Sequence, residues 1–120
     1  MKTFMAAAAV ALVVMSVSVT NALSENLKTS VGKRVAVTEI RSPCTGGPAP
    51  DLQQLHQWMT APLQYGVLEV GNTYQKRSKR CPGKTLSMRQ MYYRGKSKGI
   101  DTLSVNWPES GLLTWTVQVK

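Results

Sequence analysis

Thr102-Leu103-Ser104-Val105-Asn106-Trp107, then Pro108-Glu109-Ser110-Gly111, then Leu113-Thr114-Trp115-Thr116-Val117-Gln118-Val119 is the stretch that decides the fold. Leu103, Val105 and Trp107 alternate with polar residues before the turn, and Leu113, Trp115, Val117 and Val119 alternate with polar residues after it. A period of two places one row of side chains on a buried face and the other on a wet one, so these residues predict a β-hairpin. Proline and glycine bracket the connection, as turn chemistry requires.

Working upstream, Leu86, Met88 and Tyr92 alternate with Ser87, Arg89 and Tyr93, which predicts a strand over 85–94. Its even-numbered side is expected to face inward, apart from Gln90, leaving Arg89, Met91 and Tyr93 on the outer face. Two shorter strands are expected over 33–41, carrying Val35, Val37 and Ile40, and over 66–75, carrying Val67, Leu68, Val70 and Tyr74. Five or more strands separated by turns imply a mainly β fold, a small sandwich or barrel. One segment departs from this period. Asp51 precedes Leu52, Leu55 and Met59 at helical spacing and follows Pro48-Ala49-Pro50, so a short helix over 51–59 is expected, with Asp51 capping its first turn. Trp58 would cover one end of the core and His56 would lie on the polar side. Residues 42–50 read as a loop, and the polar residues 23–30 as a loose arm.

The first 22 residues read as a cleavable export signal. Lys2 precedes an unbroken apolar run from Phe4 to Met15, and Thr20-Asn21-Ala22 supplies the small residues that a signal peptidase recognises. Twelve apolar residues fall short of the roughly 20 needed to span a bilayer. Cleavage after Ala22 would leave residues 23–120 as a single domain, periplasmic or secreted. In such a compartment Cys44 and Cys81, the two cysteines of the chain, are expected to form a disulfide. Closing a loop of that length stabilises a fold by about 4 kcal/mol in the chain-entropy model.

Charge is distributed unevenly. The whole chain carries 15 Lys and Arg against 6 Asp and Glu, a formal net charge of +9. Nine of the cations are Lys76, Arg77, Lys79, Arg80, Lys84, Arg89, Arg94, Lys96 and Lys98, and no carboxylate lies between Glu69 and Asp101. A field of one sign draws in anions. These nine residues, with Tyr93 as an aromatic neighbour, are therefore the candidate anion-binding face. The expected partners are an anionic glycan, a lipid phosphate or an acidic protein; export disfavours nucleic acid.

Catalytic and metal chemistry find little footing. The six acids are scattered, and no Gly-x-Ser-x-Gly elbow accompanies His56, the lone histidine. Two cysteines and one histidine fall short of a zinc site. Gly83-Lys84-Thr85 resembles the end of a P-loop, but Ser78 stands where the motif needs its first glycine. Arg77-Ser78-Lys79-Arg80 has the form of a dibasic processing site, and no Asn-x-Ser/Thr glycosylation site with a permitted middle residue occurs. The expectation is a binding module without catalytic residues, cofactor or metal. A competing expectation is an inhibitor, immunity or assembly factor that docks by shape through Trp58 or the 43–50 loop.

Ala61-Pro62-Leu63-Gln64-Tyr65-Gly66-Val67-Leu68-Glu69-Val70, followed by Cys81-Pro82-Gly83-Lys84, Met91-Tyr92-Tyr93-Arg94 and Gly99-Ile100-Asp101-Thr102-Leu103-Ser104-Val105, resembles bacterial Ig-like (cadherin-like) extracytoplasmic modules. The resemblance covers about residues 60 to 107. It implies an Ig-like β-sandwich used as a spacer or adhesion unit, and supplies no catalytic residues.

Overall fold

The computed structural model describes residues 24–120, so the export signal read over residues 1–22 lies outside the described residues. Seven strands and one helix follow in the order β1 (Ser24–Thr29), β2 (Arg34–Arg41), α1 (Leu52–Trp58), β3 (Gly66–Val70), β4 (Tyr74–Arg77), β5 (Thr85–Gly95), β6 (Gly99–Trp107) and β7 (Gly111–Val119). They form a two-sheet sandwich. One sheet has the order β1-β7-β6; in the other, β2 and β3 flank β5, and β4 also pairs with β5.

The hairpin is where its alternation put it. β6 and β7 pair antiparallel with Leu103 opposite Trp115 and Val105 opposite Leu113, and Gly111 closes the turn at φ +82°, a conformation open to glycine. Leu103, Val105, Trp115, Val117 and Val119 meet Val37, Ile40, Leu68, Met91 and Tyr93 of the opposite sheet to form the core.

α1 closes one end. The Asp51 carboxylate accepts a hydrogen bond from the Gln54 amide at 2.8 Å, which satisfies a first-turn donor that no helical carbonyl can reach. Leu55 is fully buried in the core. Past the helix, Met59 bridges to Val105 and the Thr60 amide donates to the Ser104 carbonyl, so this segment covers part of the outer edge of β6.

Three expectations are corrected. Residues 24–29 are not a loose arm: β1 pairs parallel to β7, with Leu27 opposite Val117 and packed against the core. Local polarity gave way to a free sheet edge that satisfies its backbone. The single strand expected over 66–75 is two, interrupted at Gly71-Asn72-Thr73, and both pieces lie along the same side of β5.

The third correction concerns β5. Cross-strand partners share a face. Tyr93 lies opposite Val35 and Leu68, and Met91 opposite Thr38 and Val70, so these odd-numbered residues point into the sandwich. Met91 and Tyr93 are therefore inside, not on the outer face. Leu86 and Met88 are also buried, but on the opposite side of the strand, beneath Cys44 and Cys81. The strand keeps its two-residue period. It has two covers, the second sheet at one end and the disulfide loops at the other.

Candidate groove and cationic end

The disulfide gives the outer end of β5 its cover. Cys44 and Cys81 are bonded, with Cα atoms 5.6 Å apart, and join the loop after β2 to the loop before β5. Arg41, the last residue of β2, lies opposite Met88 and so shares that outer face. Its guanidinium donates to the Ser42 carbonyl at 3.1 Å, lies 3.7 Å from the Cys81 sulfur, and pairs with Glu109 of the β6–β7 turn at 3.2 Å. One mostly buried side chain thus ties the stapled loops to the hairpin tip of the other sheet.

Between those parts runs an open groove of about 640 Å³. Its floor is Thr38, Glu39, Ile40 and Arg41 of β2. Pro43, Pro48, Trp58, Trp107, Pro108 and Leu113 also line it. Trp58 and Trp107 meet edge to face with ring centres 5.7 Å apart. Trp58 thus packs against the core end as expected and also lines the groove. Arg80 lines it as well, its guanidinium 3.5 Å from the Ser110 hydroxyl.

The structure divides the nine candidate cations. Lys96 and Lys98 sit in the β5–β6 turn, and Arg77, Lys79, Arg80 and Lys84 sit around the β4–β5 loop. The 11 residues of β5 separate the two groups by roughly 30 Å at about 3.3 Å per residue. Arg94 is bound to Glu69 at 2.6 Å, an interaction that holds the Glu69 carboxyl below its ordinary range. Lys76 is 3.0 Å from Glu39, and the Tyr74 hydroxyl bonds the same carboxylate. The Tyr74 bond first, then Lys76, lowers the Glu39 pKa. Arg89 falls on the inner face opposite Ile40, with its Nε enclosed, so it cannot belong to an outer basic surface.

Tyr93 is likewise removed from that surface, because it is fully buried. Its hydroxyl donates to Asp101 at 2.5 Å, and Asp101 also accepts from the Gln64 and Tyr65 amides at 2.8 and 2.9 Å. Burial, then the Asp101 bond, pushes the Tyr93 hydroxyl well above its ordinary pKa. This pair is an internal clasp between the two sheets.

At the disulfide end, Arg77, Lys79 and Arg80 remain exposed and, among the described residues, unneutralised, and Lys96 and Lys98 are likewise free of ion pairs at the other end. Among the described residues none of them forms an ion pair with a carboxylate, whereas the Lys84 ammonium donates to the Cys44 carbonyl at 2.8 Å. Sequence reasoning missed Arg41, Glu109 and Trp107 as parts of this end. The Trp107-Pro108 pair at a hairpin tip was a usable signal for part of the groove lining, but no local pattern places Arg41 against a sulfur contributed 40 residues later.

Among the described residues no group of three or more metal-ligating side chains converges, and no helix is long and apolar enough to cross a membrane. No protein family, curated protein or solved structure matches this chain.

Proposed function

We propose that the chain is an exported, non-catalytic binding module that contacts an anionic partner in the envelope or extracellular space through its disulfide end. The observation that carries this reading is that Arg77, Lys79 and Arg80, exposed and close in sequence, have no carboxylate partner among the described residues, and that Arg80 lines an open groove. The contact surface is smaller than the nine cations suggest. Lys76 and Arg94 are engaged by Glu39 and Glu69, and Lys96 and Lys98 lie at the other end. The disulfide supports an oxidising compartment. The Ig-like resemblance is supported by the β2-β5-β3 sheet facing β6 and β7, which follows the B-E-D and F-G pattern of that fold. The Cys44–Cys81 bond is a departure from it, since it staples two loops on the outside instead of joining the sheets.

Retention on immobilised heparin and on lipopolysaccharide, measured across a salt gradient, tests the reading. Exposed charges are screened within about 8 Å at physiological ionic strength, so retention should fall steeply with salt. Replacing Arg77, Lys79 and Arg80 together with glutamate should abolish it. Retention unaffected by those substitutions would refute it. A second reading, docking by shape to a protein, is favoured by Trp58, Trp107 and the prolines that line the groove, and predicts affinity nearly independent of salt.

A further inference from the structure

Resting on the reading of a cationic binding end, the groove narrows the class of partner. We infer that Thr38–Arg41 receives an extended acidic peptide segment of a partner protein, added as a further strand to the open edge of β2.

β2 is terminal in its sheet, and among the described residues no backbone hydrogen bond from another segment reaches its outer side. All four residues from Thr38 to Arg41 line the groove. Alternate strand residues point to opposite faces, so a groove that touches four in succession runs along the strand's edge. Four residues span about 13 Å, which matches an extended peptide of about four to six residues. The opportunity is confined to this half of β2. The pairing register with β5 shifts between Ala36 and Thr38, a bulge that increases the local twist, and the short connection from β1 occupies the strand's start.

Strand addition takes its affinity from main-chain hydrogen bonds and its selectivity from pockets for alternate side chains. The edge supplies the first, and Pro43, Pro48, Trp58, Trp107 and Leu113 supply apolar surface for the second. Charge decides the sign of the partner. Glu39 and Glu109 are matched by Lys76 and Arg41, while among the described residues Arg80, which lines the groove, and its chain neighbours Arg77 and Lys79 have no carboxylate partner. The unmatched charge is positive, so acidic side chains on the incoming strand gain most. A glycan has no row of amides to offer the β2 edge, which is why a peptide fits this groove better.

The test uses the signal-free, oxidised protein and a fluorescent, end-capped peptide of about eight residues alternating valine with glutamate. Its companion is the same peptide N-methylated at every second amide, which keeps the charge and removes backbone pairing. A heparin oligosaccharide serves as a polyanion without amides in register. Losing two backbone hydrogen bonds should weaken binding roughly 30-fold. Amide exchange at the outward-facing positions within 38–41 should slow on adding the unmethylated peptide alone. Equal affinity for the two peptides, or unaltered exchange at 38–41, would overturn strand addition, and heparin binding in that case would leave the cationic-end reading standing. Failure of both peptide and heparin to bind would overturn both readings.

Discussion

Replacing Tyr93 with phenylalanine removes one oxygen from the clasp that joins the two sheets and leaves the ring where it is. The lost bond runs from a buried hydroxyl to a buried carboxylate at 2.5 Å. Hydrogen bonds to charged groups are worth about 1.5–3 kcal/mol. Asp101 keeps the Gln64 and Tyr65 amides, and phenylalanine has no hydroxyl to desolvate, so the cost should be about 2 kcal/mol. At roughly 1.5 kcal/mol per molar urea this lowers the unfolding midpoint by about 1.3 M. The thermal midpoint should fall by about 10 °C in a domain of this size. Tyr93→Phe and Asp101→Asn should also be non-additive, with a coupling of at least about 1 kcal/mol. The same variant carries a pH signature. The native Tyr93 hydroxyl holds its proton above its ordinary value of 10.0, because ionising it would bury a phenolate beside Asp101. The folded state therefore binds more protons than the unfolded chain at alkaline pH. That stability is complete below pH 10.0 and is lost as pH climbs beyond it, and Tyr93→Phe should flatten the alkaline decline. A loss below about 0.5 kcal/mol with zero coupling would refute the reasoning, since removing a buried hydroxyl bonded to a buried carboxylate should cost more.

Replacing Cys44 and Cys81 together with serine should cost about 4 kcal/mol, read as a lower urea midpoint and faster amide exchange in the loops at 42–50 and 78–84. A loss under about 1 kcal/mol would show that those loops hold Leu86 and Met88 without the bond. Gly66→Ala should destabilise by about 1–3 kcal/mol in the same denaturation assay, because its methyl would stand 2.3 Å from the Tyr93 ring and 2.5 Å from the Arg94 carbonyl. A variant within 0.5 kcal/mol of the wild type, on the roughly 1 kcal/mol scale of typical substitutions, would contradict that close approach.

The parts of the fold legible in advance were those written in local pattern. The alternation from Leu103 to Val119 is the hairpin's, Asp51 ahead of Leu52 and Leu55 marks the capped helix, and the pair of cysteines marks the disulfide. β1 was illegible because one Leu27 among polar residues carries no period; its strand state depends on the edge of β7. The inward face of β5 is not written in its alternation, because burial on this strand has two causes. Leu86 and Met88 are covered by loops, so their apolar character says nothing about which side faces the second sheet. The basic run was correct as composition and incomplete as geometry, because Glu39 and Glu69 neutralise parts of it from strands far away in sequence. The groove itself had no local signature, since β2, the 43–50 loop and the hairpin tip meet only when the sheets close.

The parallel partnership of the first and last strands sets a timetable. Ser24 waits for Thr114, 90 positions later, so β1 cannot be placed before β7 has been made. Contacts this distant make assembly slow compared with helical domains. β1 therefore finds its partner only after β7 has been made, whereas β2, β3, β4 and β5, all earlier in the chain, can pair before it.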